Sequence, residues 1–196
     1  MEHASRRGEA APEPGMASGS IGRLLARVRA GGSAPCHYVP EGEATPLALA
    51  CQIEDPAAAD WRPSEVEGAV GGVLPSDLRE LWKLTGGLRL FEDRQYGQWG
   101  LVLWAPEFAL RRTAQETDKR PEEFRGGDLL IGEFLGDSDL LLVRCDPDRQ
   151  DFGHAYVVLP IDPRANWPSP SPTLGGFLTS YVDSEGTKFW EPPPHC

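Results

Sequence analysis

Two apolar runs, residues 129–134 (LLIGEF) and 140–143 (LLLV), are separated by Leu135-Gly136-Asp137-Ser138-Asp139. Glycine supplies turn geometry, and Asp and Ser side chains bond their own backbone, so the five residues read as a turn. The flanking runs are strand-length, and the whole reads as a β-hairpin. A lone hairpin is marginal in water, so the chain must supply further strands or helices to cover it. Residues 99–104 are apolar enough for the centre of a sheet. Residues 88–91 and 155–159 read as two more strands. In the loop-rich stretch 31–60, residues 47–51 are the only candidate strand.

Between these runs the apolar period changes to that of a helix. Ile21, Leu24, Leu25 and Val28 share one face, with Ser20 as N-cap and Gly31-Gly32 as the stop, and this short helix is expected to dock on its own domain. Ser64 and Glu67 have capping-box spacing and open a helix reaching Val70. Pro75 suits the first turn of a helix with Leu78, Leu81, Trp82 and Thr85 on one face, closed by Gly86-Gly87. Residues 106–119 read as a helix anchored by Phe108 and Leu110. Leu174, Phe177, Leu178 and Tyr181 mark a last helix capped by Thr173, and Phe189-Trp190 is expected to pack back on the core. Runs of strands interrupted by helices, without strict βαβ alternation, give an α+β fold: a single mostly antiparallel sheet with helices packed on one side. The expected organisation is a disordered tail over 1–18 and an N-terminal extension with one short amphipathic helix over 19–60. The main domain follows over 61–192, with a tail over 193–196.

The formal net charge is −11, and most of that excess falls after residue 60. Binding a nucleic-acid backbone or an anionic membrane requires the opposite balance, whereas a basic protein partner is attracted. Cys36, Cys51, Cys145 and Cys196 form no C-x-x-C pair, and no apolar stretch has the length of a membrane span or signal segment. A cytoplasmic protein with free thiols is expected.

No catalytic template is filled. There is no G-x-S-x-G, and the Gly-Gly pairs lack the strand–turn–helix setting of a phosphate cradle. Cys36-His37 are chain neighbours that seldom face each other productively, and His154 stands alone. Asp137 and Asp139 have D-x-D form, which can hold a divalent ion but equally suits a hairpin turn. No metal, cofactor or catalytic residue is assigned.

Residues 73–87 (VLPSDLRELWKLTGG) resemble the opening motif of the SUKH superfamily: a Leu-Pro, a short amphipathic helix, then a Gly-Gly turn, with Thr85 where the family has asparagine. Residues 129–143 look like that family's hairpin. Tyr156-Val157-Val158, then Leu174 to Tyr181, then Lys188-Phe189-Trp190, are similar to its closing strand, helix and tail. The resemblance covers about residues 61–192. It implies a non-catalytic α+β domain, in bacteria most often an immunity protein that binds a toxin domain such as a nuclease and occludes its active site. The alternative is an intracellular scaffold or regulatory module. For a basic toxin partner the candidate contacts are Glu92, Asp93, Glu133, Asp137 and Asp139 for charge, with Tyr96 and Trp99 as aromatic anchors. Residues 92–99 read as an exposed loop, with Trp99 alternatively opening a core strand.

Overall fold

The computed structural model describes residues 20–31, 36–38, 47–56 and 62–191. The expected tails, 1–18 and 193–196, and His3, His195 and Cys196, lie outside the described residues. Seven strands form one antiparallel sheet in chain order: β1 (Cys36–Tyr38), β2 (Leu47–Glu54), β3 (Gly87–Asp93), β4 (Leu101–Leu103), β5 (Asp128–Phe134), β6 (Leu140–Arg144) and β7 (Ala155–Val158). Five helices accompany it: α1 (Ser20–Ala30), α2 (Pro63–Val70), α3 (Ser76–Leu84), α4 (Pro106–Lys119) and α5 (Leu174–Asp183). This is the α+β arrangement expected from the sequence.

Side chains alternate across the sheet. Leu101 and Leu103, Leu129 and Ile131, Leu141 and Val143, and Ala155 and Val157 face the main core. There they meet Ile21, Leu24, Leu25 and Val28 of α1, Val66 of α2, Leu78, Leu81 and Trp82 of α3, and Leu174, Phe177, Leu178 and Tyr181 of α5. Val102, Leu130, Leu140, Leu142 and Val158 point the other way, onto Trp104, Phe124 and Trp167. Strands buried on both faces explain why the β5 and β6 runs are continuously apolar rather than alternating. Helix α4 packs beside β5 and reaches both layers: Ala109 is buried in the main core, while Phe108 meets Trp104 at 5.1 Å between ring centroids. The Thr113 hydroxyl of α4 accepts the Leu130 N–H at 2.9 Å.

Several local expectations need correction. The segment 19–60 adds two strands as well as α1, and β1 was not foreseen, because a three-residue strand carries too little pattern to read. Strand β2 extends to Glu54 and pairs with β3, so α1 and β2 share the core and the sheet with the rest. Helix α2 begins at Pro63, with Arg62 as a cap that makes no side-chain bond. Glu67 closes no capping box; it accepts from the Leu74 N–H at 2.9 Å and pairs with Arg79. Helix α3 has Pro75 at its N-cap and ends at Leu84 with Thr85 as its C-cap, and Gly87 already belongs to β3. Phe108 is 44 % exposed, and α4 is anchored by the buried Ala109 together with Leu110, which packs against the main core as expected. The hydroxyl of Thr173 does cap α5, accepting from the Gly176 N–H at 3.0 Å, and Phe189 and Trp190 pack against Phe177.

One end of the sheet, where β5 begins and β6 ends, is closed by a buried ion network. Arg144 is 2 % exposed and donates to Asp128 at 2.9 Å, to Asp146 at 3.1 Å and to the Gly126 carbonyl at 2.6 Å. Arg164 takes the other side of the Asp128 carboxylate. The outer side of β7 is lined by the proline-rich segment 168–172: the Ala155 N–H donates to the Ser171 carbonyl at 3.0 Å and the Val157 N–H to that of Pro168 at 2.9 Å.

Candidate interaction surface

The opposite end of the sheet gathers the turns. Because β4 pairs antiparallel with both β3 and β5, the β3–β4 turn and the β5–β6 turn emerge side by side. Their backbones touch: the Leu135 N–H donates to the Gly100 carbonyl at 2.8 Å. At Gly136, where φ is 96°, a Cβ would come within 2.3 Å of the Gln98 carbonyl oxygen. The turn after β7 leaves from this end too, since Val158 is opposite Leu140.

The frame of this end is strained. Among the described residues, the non-glycine positions with left-handed backbone are Phe91 (φ 52°), Ser138 (φ 64°) and Glu185 (φ 53°). All three are found here. Phe91 sits where β2 and β3 slip register between Ala50 and Gln52, and its N–H donates to Cys51 Sγ at 3.4 Å. Gly186, beside Glu185, presses on Phe91 so closely that a Cβ would lie 2.7 Å from that of Phe91. Each such residue costs on the order of 1–3 kcal/mol and persists only where its surroundings over-determine it; such positions cluster at functional sites.

Lys188 ties these pieces together. Its ammonium meets Asp137 at 2.7 Å, Asp139 at 2.9 Å and Glu191 at 3.2 Å. Burial works against that charge, but the bonds to Asp137 and Asp139 outweigh it and hold the lysine above its ordinary pKa. Three carboxylates around one ammonium leave a net negative charge, and the ammonium occupies the position between Asp137 and Asp139 that a divalent ion would need. Trp99, Phe134, Tyr181, Asp137 and Lys188 line a cleft of only about 10 Å³, too small for an organic ligand. Among the described residues no group of three or more His, Cys, Asp and Glu side chains is arranged to hold a metal, and no helix is long and apolar enough to cross a membrane.

The residues singled out from sequence divide into three sets. Trp99, Asp137 and Asp139 converge on the cleft at Lys188. Trp99 is half-buried in the turn before β4, rather than in the strand or fully in the open. Asp137 is half exposed, whereas Asp139 is buried and serves to hold Lys188. Glu92 and Asp93 are the last residues of β3, paired with β2 rather than in an exposed loop, and Tyr96 follows in the β3–β4 turn. Tyr96 is 56 % exposed. Glu92 is paired with Arg89 and Arg94. Asp93 is buried and shapes the turn, accepting from the Gln95 and Tyr96 N–H groups at 3.0 Å. Glu133 lies opposite Val102 and Leu140, on the sheet face turned away from the main core. Sequence reasoning missed Lys188 as the hub; the signal available was a lone lysine in an otherwise acidic C-terminal stretch.

No family model and no curated protein matches the chain.

Proposed function

We propose that this is a non-catalytic binding protein of the cytoplasm, an immunity protein that covers the active site of a cognate bacterial toxin domain with the turn-bearing end of its sheet. The observation that carries the reading is the combination at that end: exposed Tyr96 and Asp137 on a strained, cross-braced frame with surplus negative charge. An aromatic anchor beside acidic groups suits a basic cleft, with the overall charge of −11 steering the encounter. The likeness of residues 61–192 to the SUKH pattern supports the same assignment. The Lys188 ammonium between Asp137 and Asp139 speaks for a structural role of that carboxylate pair over a metal-dependent one.

The test is affinity purification of the tagged chain from its own cells at about 150 mM salt, near physiological screening, followed by mass spectrometry. A stoichiometric partner carrying a basic toxin domain is expected. Its loss from Asp137→Lys and Tyr96→Ala variants of unchanged fold would place the contact at this end. Recovery of housekeeping proteins alone would overturn the immunity reading in favour of a scaffold or regulatory module.

A further inference from the structure

Helices α2 and α4 pack side by side, yet at the C-terminal end of α2 they part around a cleft of about 620 Å³. Its third wall is the loop that leads into β5. Small residues leave the space open. Ala69 on α2 and Ala114 on α4 are exposed, and a Cβ at Gly126 of the loop would meet nothing within 4 Å. The larger apolar residues of the lining are held from behind. Val70 and Leu110 pack against the main core, and Phe124 is buried against Trp167. A concave site of roughly 300–1,000 Å³ with an apolar lining and a few polar groups is the usual form of a small-molecule site.

The charged groups say which molecule. Arg111 and Arg125 both line the cleft, and among the described residues neither guanidinium has a carboxylate partner. Arg111 lies instead over the Phe108 ring, 5.5 Å from its centre. Neighbouring cations are differently placed: Arg112 and Lys119 of the same helix both reach Glu116, and Arg144 and Arg164 hold Asp128. Those two bonds, with the Arg125 N–H at 2.8 Å, satisfy the Asp128 carboxylate at the edge of the cleft. The charge left in the lining is two guanidinium groups against the single carboxylate of Asp118. A surplus of positive charge is the exception in a chain of net charge −11, and solubility does not require it. Guanidinium groups beside apolar walls match an anionic head on an apolar body, because Arg bonds a carboxylate through two parallel N–H groups.

We infer that the cleft between α2 and α4 binds a small organic anion, an aliphatic or aromatic carboxylate, with its charge at Arg111 and Arg125 and its apolar body against Val70, Leu110 and Phe124. The cleft lies where β5 begins, at the opposite end of that strand from the turn that bears Asp137. Its occupancy is therefore measurable independently of any partner bound at the turns.

The probe is anilinonaphthalene sulfonate, an apolar anion that fluoresces on leaving water, titrated into the full-length chain. Such dyes also enter loosened cores, so near-UV circular dichroism is recorded with and without it. Saturable binding with an unchanged near-UV signal is expected, displaced by octanoate and not by octyltrimethylammonium. Ala114→Trp fills the cleft and should abolish binding; Ala69→Trp, from the opposite wall, should do the same if the first variant melts early. Arg111→Gln combined with Arg125→Gln should weaken binding about tenfold at unchanged melting temperature. No binding, binding with loss of the near-UV signal, or binding that survives the cleft-filling variants overturns the inference. Equal displacement by the cationic amphiphile refutes the anionic class and overturns it as well.

Discussion

Lys188 approaches Asp139 to 2.9 Å, and through that bond the segment after α5 is pinned to the β5–β6 turn. Both side chains are largely buried, so the pair is not a surface bridge of negligible worth. Lys188→Met leaves the Asp139 carboxylate buried without its counter-charge and is expected to cost about 3 kcal/mol. Urea unfolding monitored by tryptophan fluorescence measures it; Asp139→Asn in the same background should recover part of the loss.

At the other end, Arg144 and Asp128 are both almost completely buried, and Asp128 also holds Arg164. Asp128→Ala removes the carboxylate shared by two largely buried guanidinium groups, leaving Arg144 with Asp146 and Arg164 without a carboxylate on its guanidinium, and should destabilise by about 3–5 kcal/mol. For a chain of this length that lowers the melting temperature by roughly 6–20 °C, readable by calorimetry. An unchanged transition would mean the network is not a lock.

Gly136→Ala tests the contact between the two turns. The substitution strains a φ of 96° and drives a methyl into the Gln98 carbonyl. A loss of about 1–3 kcal/mol is expected, together with faster hydrogen exchange at Gly100 and Leu135, because the Leu135–Gly100 bond depends on the same approach.

Asp151 gives a pH dependence. Burial raises its pKa, but the Tyr156 hydroxyl bond at 2.9 Å and the nearby Arg144 charge more than offset this and set it below the ordinary value. The folded carboxyl therefore binds its proton less readily than the unfolded one. Its contribution is complete above the unfolded value, near 3.9, and fades as pH falls through the folded one. Asp151→Asn should flatten the stability profile in that acid window and leave its shape at neutral pH unchanged, as followed by urea midpoints across pH.

Burial, with Asp128 adding to it against the opposing pull of Arg144, lifts the Cys145 thiol to about 12. Iodoacetamide at pH 8 should leave Cys145 unmodified in the native protein and label it after denaturation, with peptide mass spectrometry reading the site. Native labelling would show that this thiol is exposed to solvent by local opening.

The parts legible in the sequence are those with local causes. The hairpin 129–143, the span of α4 and the Thr173 cap follow from period, turn chemistry and capping over a few residues. What could not be read depended on distant partners. Glu67 has the spacing of a capping box but is claimed by Arg79 and the Leu74 N–H. Asp93 and Asp139 look like solvent-facing acids, yet one organises a turn and the other holds a lysine almost fifty positions away. The bulge that places Phe91 against Cys51 exists only once β2 and β3 pair.

The proline-rich segment along β7 has a consequence for the protein in a crowded cell. An outermost strand normally offers a row of free donors and acceptors on which another chain can template itself. Here the first and third residues of β7 spend their N–H groups on 168–172, and within that segment only Ser169 and Ser171 carry a backbone N–H at all, because Pro168, Pro170 and Pro172 have none. Stacking a further strand on that flank would leave most of its carbonyls unanswered. The β7 flank is therefore closed to runaway sheet extension and to strand exchange between copies, so that what the molecule offers its neighbours is the ends of its strands rather than this side.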